Sequence, residues 1–210
     1  MGKNDCILTH PLHYISHMLF EGVLPKGKEL PLVEALIESG ADLDFKRDGE
    51  DDTPLIRAAS LGTEDVGLRM LDAGANPNLR GRGGETALQW AALLGEDRLA
   101  ERLVKVVADI DLKDDEYHSS PLGWAIHGWC NPPAGNQGRQ RKVAALLVAA
   151  GAKSRNGWSL TTCEMLIPSC WLRFGVRRAK TCSHSSFVDK RKTTIRNGRN
   201  YALYKASRYR

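Results

Sequence analysis

Few places in this 210-residue chain gather side chains able to do chemistry. His10, His13 and His17 are three and four residues apart, a spacing that sets two imidazoles on one helical face as zinc ligands require. Cys163, Cys170, Cys182 and His184 supply four more potential ligands, but their spacings match none of the usual zinc knuckles. "RGRGG" from Arg80 invites comparison with RNA-binding Arg-Gly segments, although clustered glycines serve turn geometry equally well. Arg177 and Arg178, followed after eleven residues by Lys190, Arg191 and Lys192, have the layout of a two-part nuclear import signal. The chain has no G-x-S-x-G, no Walker loop and no H-E-x-x-H, and its isolated Ser, His and Asp residues do not converge on a nucleophile, a metal or a phosphate cradle. The expectation is a protein with no catalytic residues, no cofactor and no bound metal.

The elements that would position such residues follow from composition and repetition. The longest apolar run, "VAALLVAAGA" from Val143, is about half of the roughly 18 residues a membrane span needs. The first residues lack a basic stretch followed by an apolar core and a cleavage site, and Cys6 stands where a myristoylation signal carries Ser or Thr. Five cysteines, Cys6, Cys130, Cys163, Cys170 and Cys182, are odd in number and form no C-x-x-C, so they read as free thiols. A cytoplasmic or nuclear location is expected. Charge divides the chain: residues 1–152 hold 16 Lys or Arg against 23 Asp or Glu, and residues 153–210 hold 14 against 2.

"TPLIRAASLG" from Thr53, "TALQWAALLG" from Thr86 and "SPLGWAIHGW" from Ser120 are copies offset by 33 and 34 residues, and "HPLHYISHML" from His10 is a fourth. Each leads to a second helical segment, "LVEALIESGADLD" from Leu32, "VGLRMLDAGANPN" from Val66, "LAERLVKVVADID" from Leu99 and "VAALLVAAGAKSR" from Val143. Thr53 and Thr86 read as N-caps, with Pro54 and Pro121 in the first turn where no donor is needed. Ala58, Ala59, Ala91 and Ala92 let neighbouring helices approach closely. Leu36, Ile37, Leu71, Leu103, Leu146 and Leu147 form the apolar stripe of the second helices. Gly40, Gly74 and Gly151 end those helices in the left-handed conformation, and Val107 takes that place in the third unit, where an altered cap is expected.

These motifs, "TPLIRAASLG…GANPN", "GGETALQWAALLG…VADID", "SSPLGWAIHG…GAK" and "HPLHYISHM…GADLD", together resemble the ankyrin repeat family over about residues 9–155. The resemblance implies an all-α solenoid of about four helix-turn-helix repeats, near 9–46, 47–79, 80–112 and 113–155, with short hairpin fingers. Two stretches, "GVLPKGKELP" and "WCNPPAGNQGRQRK", exceed the family's unit and are expected to protrude as loops. His13 falls on the family's structural histidine position, which favours a bracing role over zinc. Residues 156–172 read as a degenerate cap, and residues 173–210 as a basic tail without periodicity, disordered by composition or the product of an altered reading frame.

The resemblance further implies protein recognition by the fingers and the concave side of the first helices. Carried onto this chain, the partner-binding candidates are Met18, Glu50, Asp52, Leu61, Arg82, Glu85, Leu93, Leu94, Glu116, Tyr117 and His127. Met18, Leu61, Leu93 and Leu94 would form an exposed apolar strip, unless fingers or tail cover them. Trp90 is either a binding residue or a core one. Acidic fingertips favour a partner with a basic segment, the chain's own tail among the candidates. A monomeric scaffold binding another protein is the leading expectation; nucleic acid or anionic membrane held by the tail is the alternative.

Overall fold

The computed structural model describes residues 11–25, 27–46, 52–106, 110–130 and 139–153. Among them are eight helices and no strand: α1 Pro11–Phe20, α2 Glu29–Glu38, α3 Pro54–Leu61, α4 Glu64–Asp72, α5 Ala87–Leu94, α6 Asp97–Val106, α7 Pro121–Cys130 and α8 Arg139–Ala149. They form four helix pairs in two layers, an inner row α1, α3, α5, α7 and an outer row α2, α4, α6, α8. Each helix packs on its partner and on its counterpart in the next pair, the organisation of a solenoid.

The sequence sets the helix ends locally. Thr53 is extended (φ −79°, ψ 164°) and its Oγ1 accepts the Ile56 N–H at 3.3 Å, with Pro54 at the first helical position. At Thr86 the Gln89 Oε1 reaches back to the Thr86 N–H at 2.7 Å, as in a capping box. The outer helices stop at Gly40, Gly74 and Gly151, with φ of 82°, 97° and 93°. Beyond each glycine the next N–H returns to the outer helix, Ala41 to Leu36, Ala75 to Met70 and Ala152 to Leu147, so the same double-bonded cap closes three of the four units. Val107, the corresponding position of the third unit, lies outside the described residues, as do Glu50, the degenerate cap and the basic tail.

Between the layers lies one continuous apolar core running through Leu12, Val33, Leu55, Met70, Leu88, Leu99, Leu103, Leu122 and Leu147. Ala58, Ala59, Ala91 and Ala92 are fully buried, as their size requires. Of the expected outer stripe, Leu71, Leu103 and Leu147 are buried while Leu36, Ile37 and Leu146 pack against the core with part of their surface free. The two expected loops are shorter than the composition suggested. Glu29–Pro31 belong to α2, α7 runs through Trp129 and Cys130, and α8 already begins at Arg139. Capturing these residues in helices extends the apolar contact each pair makes, which outweighs the turn preference of the flanking Gly and Pro.

Candidate functional site

Counting from the start of each pair, the fifth residue is Tyr14, Arg57, Trp90 or Trp124, the eighth His17, Ser60, Leu93 or His127, and the ninth Met18, Leu61, Leu94 or Gly128. On a helix these positions share the side facing away from the outer layer, and fingers rise from one end of it. The third finger is a tight hairpin, as "RGRGG" suggested. The Gly81 N–H donates to Glu85 O at 2.7 Å, and Gly84 has φ 73°. A side chain on Gly84 would collide with the Asp115 and Arg80 side chains, so only glycine fits.

The fingers are stitched to one another. Arg80 donates to the Lys113 carbonyl at 3.0 Å and to Asp115 Oδ1 at 2.7 Å, and the Asp115 N–H donates to Gly83 O at 2.8 Å. Lys46 Nζ donates to the Arg80 carbonyl at 2.9 Å. The fourth finger is built round Asp114, a buried carboxylate whose Oδ1 accepts the Ser119 N–H and the Trp124 indole N–H, both at 3.0 Å, while Oδ2 accepts the Tyr117 N–H. Trp124 stands edge-on to Trp90 at 5.2 Å and to Tyr117 at 6.1 Å between ring centres, so one aromatic cluster joins the third and fourth pairs.

Against this frame the expected partner-binding residues separate. Met18 is 36% exposed, Leu61, Tyr117 and His127 are half-buried, and Arg82 and Glu116 are exposed. Burial lowers the pKa of His127, which favours its neutral form. Leu93 and Leu94 correct the expected apolar strip: each is only 8% exposed. The cause is Gly128. A side chain there would meet the Leu93 carbonyl at 2.2 Å, so its absence lets α7 settle directly on the end of α5. Gln140 of α8 then reaches the Leu93 and Leu94 carbonyls with its amide, at 3.4 Å each.

Asp52 and Glu85 are a second correction, because both are buried rather than displayed on acidic fingertips. Asp52 Oδ1 lies 3.4 Å from the Arg82 N–H, and Glu85 Oε2 accepts the Gly83 N–H at 2.7 Å. Their carboxylates hold finger backbone that would otherwise lose its hydrogen bonds. His13 takes the bracing role: its Nε2 donates to the Asp52 carbonyl at 2.8 Å, which ties the first pair to the second finger. Trp90 is core. Among the described residues no three His, Cys, Asp or Glu side chains lie close enough to share a metal ion, and no helix there is long and apolar enough to cross a membrane.

Sequence reasoning missed Asp114, Gln89, Gln140 and Glu96. "TALQ" carried a capping-box signal for Gln89; Asp114, six residues before Ser120, had no counterpart in the other units to mark it. Glu96 follows α5 at the position where the second unit has Thr63, whose hydroxyl donates to the Ala58 carbonyl at 3.0 Å. Glu96 is buried and neither carboxyl oxygen meets a hydrogen-bond partner. Burial first, then the neighbouring Glu64 charge, raises its pKa well above the usual carboxylate range, opposed by Arg139. It is therefore held towards the neutral form.

Stacked helix pairs with linked fingers and a partly open inner face define an all-α repeat solenoid. A family model for ankyrin repeats, in three copies, matches residues 22–114. The chain is 33% identical over 84 residues to the human (Homo sapiens) 2-5A-dependent ribonuclease, a match covering 40% of this chain and 11% of that protein. It is likewise 33% identical over 94 residues to an ankyrin repeat-containing protein of Treponema pallidum (strain Nichols), covering 45% of this chain and 30% of that one. The chain thus spans well under two thirds of either relative. Residues 22–114 thus match ankyrin repeats, which generally mediate binding between proteins and are generally not catalytic.

Proposed function

We propose that this chain is a non-catalytic scaffold that holds another protein against the N-terminal half of its inner face, at Tyr14, Met18, Arg57 and Leu61, with Tyr117 and His127 at the far end. The observation that carries the reading is the contrast within one register: the third unit closes its inner positions with Trp90, Leu93 and Leu94, whereas in the first two Tyr14, His17, Met18, Arg57 and Leu61 keep part of their surface exposed and only Ser60 is buried. Tyr and Arg are side chains that concentrate binding energy, and Met18 and Leu61 add apolar surface between them. With Asp52 and Glu85 engaged in the fingers, an apolar or amphipathic segment suits this face better than a basic one.

The test compares capture of a bound protein by the full chain and by Met18→Ala/Arg57→Ala/Leu61→Ala. The expected result is at least a tenfold loss of affinity with an unchanged helical circular dichroism spectrum. Undiminished capture by the triple variant overturns the inner-face reading.

A further inference from the structure

Besides Asp115 and Glu116 on the fourth finger, exposed negative charge is found on the outer row. α2 carries Glu29, Glu34 and Glu38 and no base; α4 carries Glu64, Asp65 and Asp72 with one, Arg69. α6 has Asp97 and Glu101 against Arg98, Arg102 and Lys105, and α8 has Arg139, Arg141 and Lys142 with no acid. The outer layer therefore passes from acidic to basic along the stack.

Neighbouring outer helices use this order to pair. Arg69 bonds Glu34 at 3.2 Å, Arg98 bonds Asp65 at 2.7 Å, Arg102 bonds Asp72 at 3.2 Å, and Lys142 approaches Asp97 at 3.6 Å. In every case the acid belongs to the earlier helix and the base to the later one. Among the described residues no outer helix precedes α2, so Glu29 and Glu38 stand outside this ladder. Beside them Leu32, on the same helix, keeps 44% of its surface exposed. An acidic helix with an exposed leucine fits a basic segment that also carries apolar or aromatic side chains.

This chain contains such a segment. Residues 173–210 hold 12 Lys or Arg against the single acid Asp189, together with Phe174, Phe187, Tyr201, Tyr204 and Tyr209. We propose that α2, through Glu29, Glu34, Glu38 and Leu32, is the docking surface for residues 173–210 of the same chain. Distance permits it. Three steps between packed outer helices amount to roughly 30 Å at 8–10 Å each, and the residues between Lys153 and Arg173 can span about 65 Å when extended. Attachment in one chain gives the segment an effective concentration in the millimolar range, which favours it over a second copy at ordinary protein concentrations. The contact is separate from the inner face and can fail without affecting it.

Zero-length carbodiimide coupling of carboxylates to lysines, applied to the full chain at low salt, tests the proposal. An equal mixture of isotopically light and heavy protein is used and the products are read by mass spectrometry. The expected products join Glu29, Glu34 or Glu38 to Lys180, Lys190, Lys192 or Lys205 within one isotopic form. Their yield should fall at least fivefold in 1 M salt, where the screening length drops to about 3 Å. It should also fall at least fivefold for Leu32→Ala, which keeps all three carboxylates. Mixed light-heavy products would assign the surface to a second copy and overturn the proposal. Coupling of the tail lysines to carboxylates of all outer helices alike, or to none, would overturn it as well.

Discussion

At equivalent places in the repeat, Tyr14, Met18 and Leu61 keep contact with solvent, while Trp90, Leu93 and Leu94 do not. Within that row α3 and α5 share a length of eight residues, a left-handed glycine after the last turn and an alanine pair; they differ in what the following unit presents. After α5 comes Gly128, which brings α7 to within touching distance of the Leu93 carbonyl, and Gln140, which ties the end of α5 to α8. Between α3 and α5 that place is taken by Leu94, whose Cδ1 lies 4.0 Å from where a side chain on Gly62 would begin. Register thus fixes direction, and the neighbour's size fixes exposure.

The strongest way to break the contrast is Gly128→Leu, which gives α7 the residue that α3 and α5 carry. With a backbone carbonyl in the way, the helix must move, at a cost of about 3 kcal/mol. The expected outcome is a lower urea midpoint together with a red shift of tryptophan emission as Trp90 and Trp124 meet water. Asp114→Ala should come next. It strands the Trp124 indole and two finger N–H groups, for a loss of about 2–3 kcal/mol in chemical denaturation.

Glu96→Gln sharpens the comparison by pH. Because burial raises the Glu96 pKa in the folded state, the stability tied to its neutral form is complete below the ordinary carboxylate range and is lost as pH rises through the folded value. The amide variant cannot ionise. Its melting temperature should exceed that of the wild type by a margin that widens from pH 5 to pH 8, with Glu64 and Arg139, the charged groups facing it, left in place. A margin independent of pH would show that Glu96 is paired in solution. The smallest effect is expected at His118, which sits in the left-handed region (φ 50°) at the place where the third finger has Gly84. His118→Gly should raise the melting temperature slightly, for a gain of roughly 0.5–1 kcal/mol.

Much of this fold was legible in the chain because its signals are local. Thr53 as an N-cap, the helix-ending Gly40, Gly74 and Gly151 and the buried alanine pairs each depend on a few neighbours and recur with the repeat, whereas the bracing His13, bonded to Asp52 39 residues away, was legible only through the family's pattern. Exposure was not legible, since it depends on pairs far apart in sequence. Leu93 is buried by Gly128 and Gln140, 35 and 47 residues away; Gly128 departs from the larger residues that the other units carry at its repeat position, and Gln140 lies outside the repeated motif. Asp52 and Glu85 misled for a related reason: an acidic residue beside glycines looks displayed, whereas finger backbone in need of acceptors draws it inward.

Glu64 shows what the outer ladder demands of the whole array. Its Oε1 accepts the Arg98 and Leu99 N–H groups at 2.8 and 3.1 Å, so one unit supplies the missing acceptor at the start of the next unit's outer helix. Such units cannot be shuffled. An array in which the second unit were duplicated would keep its apolar spine yet set Asp65 beside its own copy, where Arg98 now pairs with it, and would be expected to open first at that joint.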